Sequence, residues 1–473
     1  MARSMPAAGG ASRSARRRNL RKVIGASLIG TSLEWYDFFL YGTAAALVFN
    51  QLFFPKFDPL VGTLLAFTTY AVGFVARPIG GVVFGHFGDR VGRRRTLIIT
   101  LMIMGCATVL IGLLPTYGTI GVAAPILLVT LRFVQGLGLG GEWGGAVLMV
   151  AEHGDERRRG LNSAWPQVGV PAGNLLAAGV LALLAAVMSD SVFLSWGWRI
   201  PFLLSAAIIA VGLWIRLTVQ ESPLFQELER KGEKARAPLV EVVKCYPRSL
   251  FIAVAARFGT DVAFYTFALF ILTYVTTELG LPKTTALAGV LIGSAVQLLL
   301  IPTFGHLSDS RGRRPVYLAG AIGAAAWTCV FFPLLNTKSA TLIVLAALGG
   351  LVFHAAMYGP QAAFITELFG TEVRYSGASL GYQLAGVIGG ALAPIISVAL
   401  LSQFGSPVPI AIYVVAALVI TIVAVLLSKE TAAADLRAEH PEESAPAPRA
   451  EAEPEARAER RDEEPRFGRP VRR

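Results

Sequence analysis

The chain has 473 residues, 54% of them hydrophobic and only 15% charged. A water-soluble chain carries about 25% charged residues, so a soluble enzyme or a solvated scaffold is excluded. The net charge is +11, but the basic residues flank apolar runs as topology determinants do, and no nucleic-acid partner is expected.

Apolar runs long enough to cross a hydrocarbon layer of about 30 Å predict twelve membrane helices. They fall at 23–49, 61–84, 96–114, 121–151, 161–187, 198–219, 248–277, 284–305, 316–335, 340–366, 376–401 and 407–428. Arg16, Arg17, Arg18, Arg21 and Lys22 precede the first run, which is too long for a cleaved leader and contains two acids, so it reads as a retained helix. An even number of spans puts both termini on one side. The segments on that side hold 24 Lys and Arg, whereas the opposite loops hold four, Lys56, Arg199, Lys283 and Lys338. The positive-inside rule therefore makes both termini cytoplasmic. The expected organisation is a basic tail (1–22), a six-helix bundle (23–219), a polar central loop (220–247), a second six-helix bundle (248–428) and a tail (429–473). Six prolines in that last segment argue against fixed structure there. Cys106, Cys245 and Cys329 have no metal-ligand spacing and read as small buried hydrophobes.

An internal repeat organises the chain. "GHFGDRVGRR" at 85–94 returns as "GHLSDSRGRR" at 305–314, an offset of 220 residues, each time after the second span of a group of six. Two halves from a duplicated ancestor are a common plan for secondary transporters. The loop motif resembles the signature of the major facilitator superfamily. With "EWYDFFLYG", "RFVQGLGLGGEWGGA", "SWGWRIPFLLS", "ESPLF" and "RYSGASLGYQ", residues 20–428 look like its metabolite:proton symporter branch, which includes shikimate, α-ketoglutarate and proline/betaine permeases. The resemblance implies an all-α membrane fold of twelve helices in two pseudo-symmetric bundles. It also implies proton-coupled uptake of a small polar metabolite by alternating access.

The residues that carry this chemistry are few. A charge at mid-bilayer costs roughly 2.5–3.5 kcal/mol on insertion scales, so such groups usually face a cavity or a partner. Glu34 and Asp37, with Tyr41 one turn on, share one face of the first span. Two carboxylates this close disfavour simultaneous ionisation, which suits a proton carrier. Arg132 on the fourth span lies some 5–8 Å in depth from Asp37. The resemblance sets the two face to face, Arg132 taking an anionic substrate or, in its absence, Asp37. Arg257 and Asp261 on the seventh span and His354 on the tenth complete the expected substrate site, with Arg77 and Glu142 as further candidates. Gating is expected from Asp89, Arg90, Arg93 and Arg94 in the first loop copy and from Asp309, Arg313 and Arg314 in the second, where Ser310 replaces the first copy's Arg90. The pairs Glu152/Arg159 and Glu367/Arg374 read as further gate contacts.

"GLGLGG" at 136–141 fits a dinucleotide motif but follows no strand; Gly136, Gly140 and Gly144 instead permit close helix packing. No P-loop, nucleophile motif or zinc cluster is present, so the chain is not expected to be an enzyme or to hold a cofactor. The driving force is the proton gradient, the partners are the substrate, the proton and the lipid of the cell (inner) membrane, and a monomer suffices. Two other readings stand beside symport: proton-antiport export, and a membrane sensor that keeps the fold without transporting.

Overall fold

The computed structural model describes residues 13–91, 93–140, 147, 150, 156–218, 238–370 and 373–432. Among them there is no strand, and twelve long helices follow in order. They are α1 (Arg13–Ala44), α2 (Pro59–Val91), α3 (Arg93–Leu113), α4 (Ala123–Leu139), α5 (Arg159–Val187) and α6 (Arg199–Thr218), then α7 (Pro247–Glu278), α8 (Lys283–Arg311), α9 (Arg313–Asn336), α10 (Ala340–Glu367), α11 (Arg374–Phe404) and α12 (Val408–Leu427). Eight of the described helices are long and apolar enough to cross a membrane, or nine if the bent pair Asp190–Gly197 and Arg199–Trp214 is one span. α1, which carries Glu34 and Asp37, is not among them, and α3 and α4 contribute the shorter apolar stretches Ile98–Leu113 and Ala123–Leu139.

The duplication read in the sequence is also visible in the backbone. α1 runs into a π-helical turn at Ala45–Phe49, and α7 contains one at Thr266–Phe270. Their starts lie 221 residues apart, one more than the offset of the sequence repeat. A π turn widens the helix and often marks a functional site, and nothing in the residue pattern announces it.

The first six helices contact the last six mainly through α5 against α8 and α10, and α2 against α11. Small residues let these helices approach. A side chain at Gly160 would collide with the Gly305 carbonyl, and one at Gly305 with Ala164. Within the first half, Gly136 lies on the Gly73 carbonyl and Gly140 on that of Arg77, joining α4 to α2 as the glycine spacing predicts. A methyl at Gly80 would meet the Leu137 carbonyl. Because that obstacle is backbone, Gly80→Ala is expected to destabilise the fold by about 1–3 kcal/mol. The measurement is the midpoint of thermal unfolding in detergent, and an unchanged midpoint would show that α2 and α4 separate freely.

Two expectations need correction. Cys106, Cys245 and Cys329 are free but exposed. Cys106 and Cys329 sit on outer faces of α3 and α9, where lipid supplies the apolar surroundings that a core supplies in a soluble protein. The segment after α12 is not without fixed structure from its first residue. Glu430 accepts hydrogen bonds from the backbone N–H groups of Arg313 and Arg314 at the start of α9 (2.7 and 3.1 Å), and Thr431 donates to Glu367 (2.7 Å).

Candidate functional site

From Glu34 to Phe49 every residue is buried, so this part of α1 and the π-helical turn after it are surrounded by protein. Asp37 is 1% exposed and accepts a hydrogen bond from Ser205 of α6 (2.7 Å), with the Thr108 hydroxyl of α3 also facing it. The Tyr41 hydroxyl bonds to Thr69 (2.6 Å). Glu34 is buried as well. The face expected to look into a central cavity therefore turns towards the interior of its own half. Trp35 and Phe39 look towards the other half instead, Phe39 packing on Phe264 with centroids 5.6 Å apart.

Arg132 is fully enclosed. The expected ion pair with Asp37 is not formed in this conformation, although the two are close enough to interact electrostatically. The guanidinium instead lies over the rings of Phe38, Tyr41 and Tyr70, at 4.6, 4.3 and 4.7 Å from their centroids. It occupies the space left by the missing side chain of Gly73. One amino group donates to Gln135, whose own amide donates to Thr108 (2.8 Å). Arg132 is thus connected to the surroundings of Asp37 through Gln135 and Thr108. Among the described residues, its Nε and Nη2 have no acceptor.

In the second half, Arg257 donates from Nε to Asp261 (2.9 Å), the i, i+4 pair expected on α7. Its guanidinium lies over the Tyr382 ring, 3.0 Å from the centroid. His354 shares a hydrogen bond with Gln297 (2.8 Å) and stacks on Tyr358, with centroids 5.1 Å apart. A crevice between the halves is lined by Arg257, Asp261 and His354 together with Trp35, Phe264 and Tyr265. The structure therefore brings the α7 and α10 candidates together at the crevice and sets Asp37 and Arg132 behind it.

At the repeat-bearing end of the bundle, Arg313 is buried between Asp309 (2.7 Å) and Glu367 (3.1 Å). Asp309 reaches across to the start of α5 and accepts from the N–H groups of Gly160 (2.7 Å) and Leu161 (3.0 Å). Glu367 also draws Arg159 to 3.9 Å. The expected pairing of Glu367 with Arg374 is replaced by these contacts, because Arg313 projects from α9 directly onto Glu367, whereas Arg374 Nε turns to the Phe369 carbonyl (3.2 Å). Arg314 binds the carbonyls of Val425 and Leu426. Ser310, the departure from the first loop copy, bonds only within its own helix, to the Leu307 carbonyl (3.0 Å). The side chains of Asp89, Arg90, Arg93, Arg94, Glu142 and Glu152 lie outside the described residues. At the opposite end an exposed pair, Lys283–Asp190 (3.0 Å), joins the halves.

Gln135, Thr108 and Ser205 went unnoticed in the sequence because lone polar residues in apolar helices are common. The aromatic seats at Tyr70, Phe74 and Tyr382 did carry a signal, an aromatic or arginine recurring at helical spacing.

Comparison with known proteins places this geometry. Residues 22–244 match the family model "Sugar (and other) transporter", and residues 253–466 match "Major Facilitator Superfamily". The Escherichia coli shikimate transporter is 42% identical over 88% of this chain and 95% of its own length. The E. coli inner membrane metabolite transport protein YhjE is 41% identical over 87% and 94%, and the E. coli proline/betaine transporter 33% over 89% and 86%. Among solved structures, the D-xylose–proton symporter superposes with a TM-score of 0.68 over 86% of this chain and 96% of that one, at 19% identity, a likeness of fold. The chain is a membrane transporter of the major facilitator superfamily, in the metabolite branch that holds the shikimate and proline/betaine transporters.

Proposed function

We propose that the protein takes up a small carboxylate-bearing metabolite together with a proton, driven by the proton gradient across the inner membrane. The observation that carries this reading is the buried chain Arg132–Gln135–Thr108, whose hydroxyl donates to the Met104 carbonyl (3.0 Å) and faces Asp37, with neither charged end held in an ion pair by a described residue. A buried guanidinium without an anion favours binding one, and Asp37 is the nearby group that can present or withdraw a competing negative charge. Protonating Asp37 leaves Arg132 as the uncompensated charge, ready for a substrate carboxylate. Releasing the proton restores an anion that competes for Arg132 and expels the substrate. The rocking of the two halves exposes this unit to each side in turn, with both termini cytoplasmic as the distribution of Lys and Arg requires. Relatives named for shikimate and for proline and betaine support a carboxylate as the common substrate group.

The test is uptake into proteoliposomes with and without an imposed pH gradient, using organic acids, amino acids and betaines. Accumulation that requires an alkaline interior and collapses with a protonophore is expected. Accumulation that instead requires an acidic interior would establish antiport, and uptake indifferent to the gradient would remove the proton altogether.

A further inference from the structure

Two arginines converge on one ring. The guanidinium carbons of Arg77 on α2 and Arg132 on α4 lie 4.2 and 4.6 Å from the centroid of Phe38. Arg77 also covers Trp35 and Phe74, and Arg132 covers Tyr41 and Tyr70. Arg77 is only 3% exposed, and among the described residues no ion pair reaches either guanidinium. Among the described residues, Nε and Nη2 of both arginines have no acceptor. Aromatic faces offset only part of the cost of burying a cation, and buried donors are nearly always satisfied. Four such nitrogens around one ring call for an anion.

The internal repeat argues against a purely structural need. The position 220 residues after Arg77 is Gln297 on α8, a neutral amide that bonds to the Leu351 carbonyl (3.0 Å) and to His354 (2.8 Å). The same helix position in the second half is therefore occupied without a charge. Arg77 also reaches the crevice, since its guanidinium lies over Trp35, 5.3 Å from the ring centroid, and Trp35 lines it.

We propose that Arg77 is a second substrate-binding guanidinium, and that with Arg132 it selects an organic anion without a cationic group over a zwitterion such as a betaine or an amino acid. This rests on the transport reading above, since the anion is the transported metabolite. A quaternary or primary ammonium is recognised by a free aromatic face or a free carboxylate. Around the two guanidiniums, Phe38, Phe74, Tyr41 and Tyr70 already carry Arg77 or Arg132. At the crevice Tyr382 carries Arg257 and Asp261 is held by Arg257, while the crevice rings Phe39, Phe264, Tyr265 and Tyr358 pack on one another or on His354. Two guanidiniums side by side repel a third cation and offer a carboxylate charge-assisted, forked hydrogen bonds.

The test is binding to the purified full-length protein without any pH gradient, read as the rise in unfolding temperature with shikimate, 2-oxoglutarate, proline or glycine betaine. At least one acid should half-saturate the wild-type protein at a concentration about tenfold or more below either zwitterion. Arg77→Gln, the amide that the second half uses, should weaken binding of that acid by about tenfold or more, the loss of one charge-assisted hydrogen bond. Arg77→Lys should recover part of it. Equal or tighter binding of proline or betaine, failure of both acids to stabilise the protein, or wild-type acid binding by Arg77→Gln would each overturn the proposal. Should Arg77→Gln not fold, the wild-type series and Arg77→Lys decide it. Acid binding as expected without pH-driven accumulation would sink the proton coupling and leave the anion site standing.

Discussion

Asp37→Asn is expected to abolish accumulation of substrate under a pH gradient while leaving exchange of substrate for substrate intact. The amide keeps an oxygen for the Ser205 hydroxyl, which bonds Asp37 at 2.7 Å, so the helix contacts survive. It imitates the protonated state permanently, and Arg132 stays available to a carboxylate. One pH unit corresponds to about 1.4 kcal/mol per proton, enough for about tenfold accumulation; the variant should fall to parity. Glu34→Gln is expected to lose less, because the bonds that run from Arg132 through Gln135 to Thr108 lead to Asp37. The measurements are gradient-driven uptake and counterflow on the same proteoliposomes. Full accumulation by Asp37→Asn would move the proton site elsewhere, with Asp261 and His354 at the crevice the next to examine.

The second large effect concerns the closed end. Glu367→Gln leaves Arg313, 1% exposed, without its 3.1 Å carboxylate partner. It also removes the charge that draws Arg159 across from α5 to 3.9 Å. Breaking one side of a buried ion pair costs about 3–5 kcal/mol. Asp309 still holds Arg313, so about a third of that is expected to fall on the closed conformation, enough to shift its population about tenfold. A cysteine at Asn162, buried near the start of α5, reports this in a background without Cys106, Cys245 and Cys329. Its modification should be about tenfold faster in Glu367→Gln. An unchanged rate would mean that the contacts of Asp309 with Gly160 and Leu161 keep this end shut unaided.

Most spans were legible in the sequence because length and apolarity define them, whereas α1, α3 and α4 fall short of that measure in the described residues and are placed by their position in the series. The repeat was legible because loops carry the charged residues that a lipid-facing helix lacks. The direction in which a side chain points was not. In a soluble helix the polar face marks solvent and fixes the opposite face as core. A membrane helix is apolar towards both lipid and protein, so periodicity shows that Glu34, Asp37 and Tyr41 share a face but not what that face meets. The same gap hid which guanidinium each aromatic ring receives and made the exposed Cys106 and Cys329 look like core residues.

The near-complete enclosure of α7 bears on how the chain is assembled. Of its most apolar window 94% is buried in protein, so this helix has almost no surface for lipid in the finished molecule, yet it is the first of the second half to leave the ribosome. Arg257 and Asp261 enter the bilayer as a pair within one helix, which limits the cost of each charge. The seat that receives α7 is built much later. Gly259 of α7 donates to Thr421 of α12, 162 residues on (2.9 Å), and Thr421 returns a bond to the Ala255 carbonyl (2.9 Å). A nascent chain that has not yet reached α12 therefore holds α7 with one flank open.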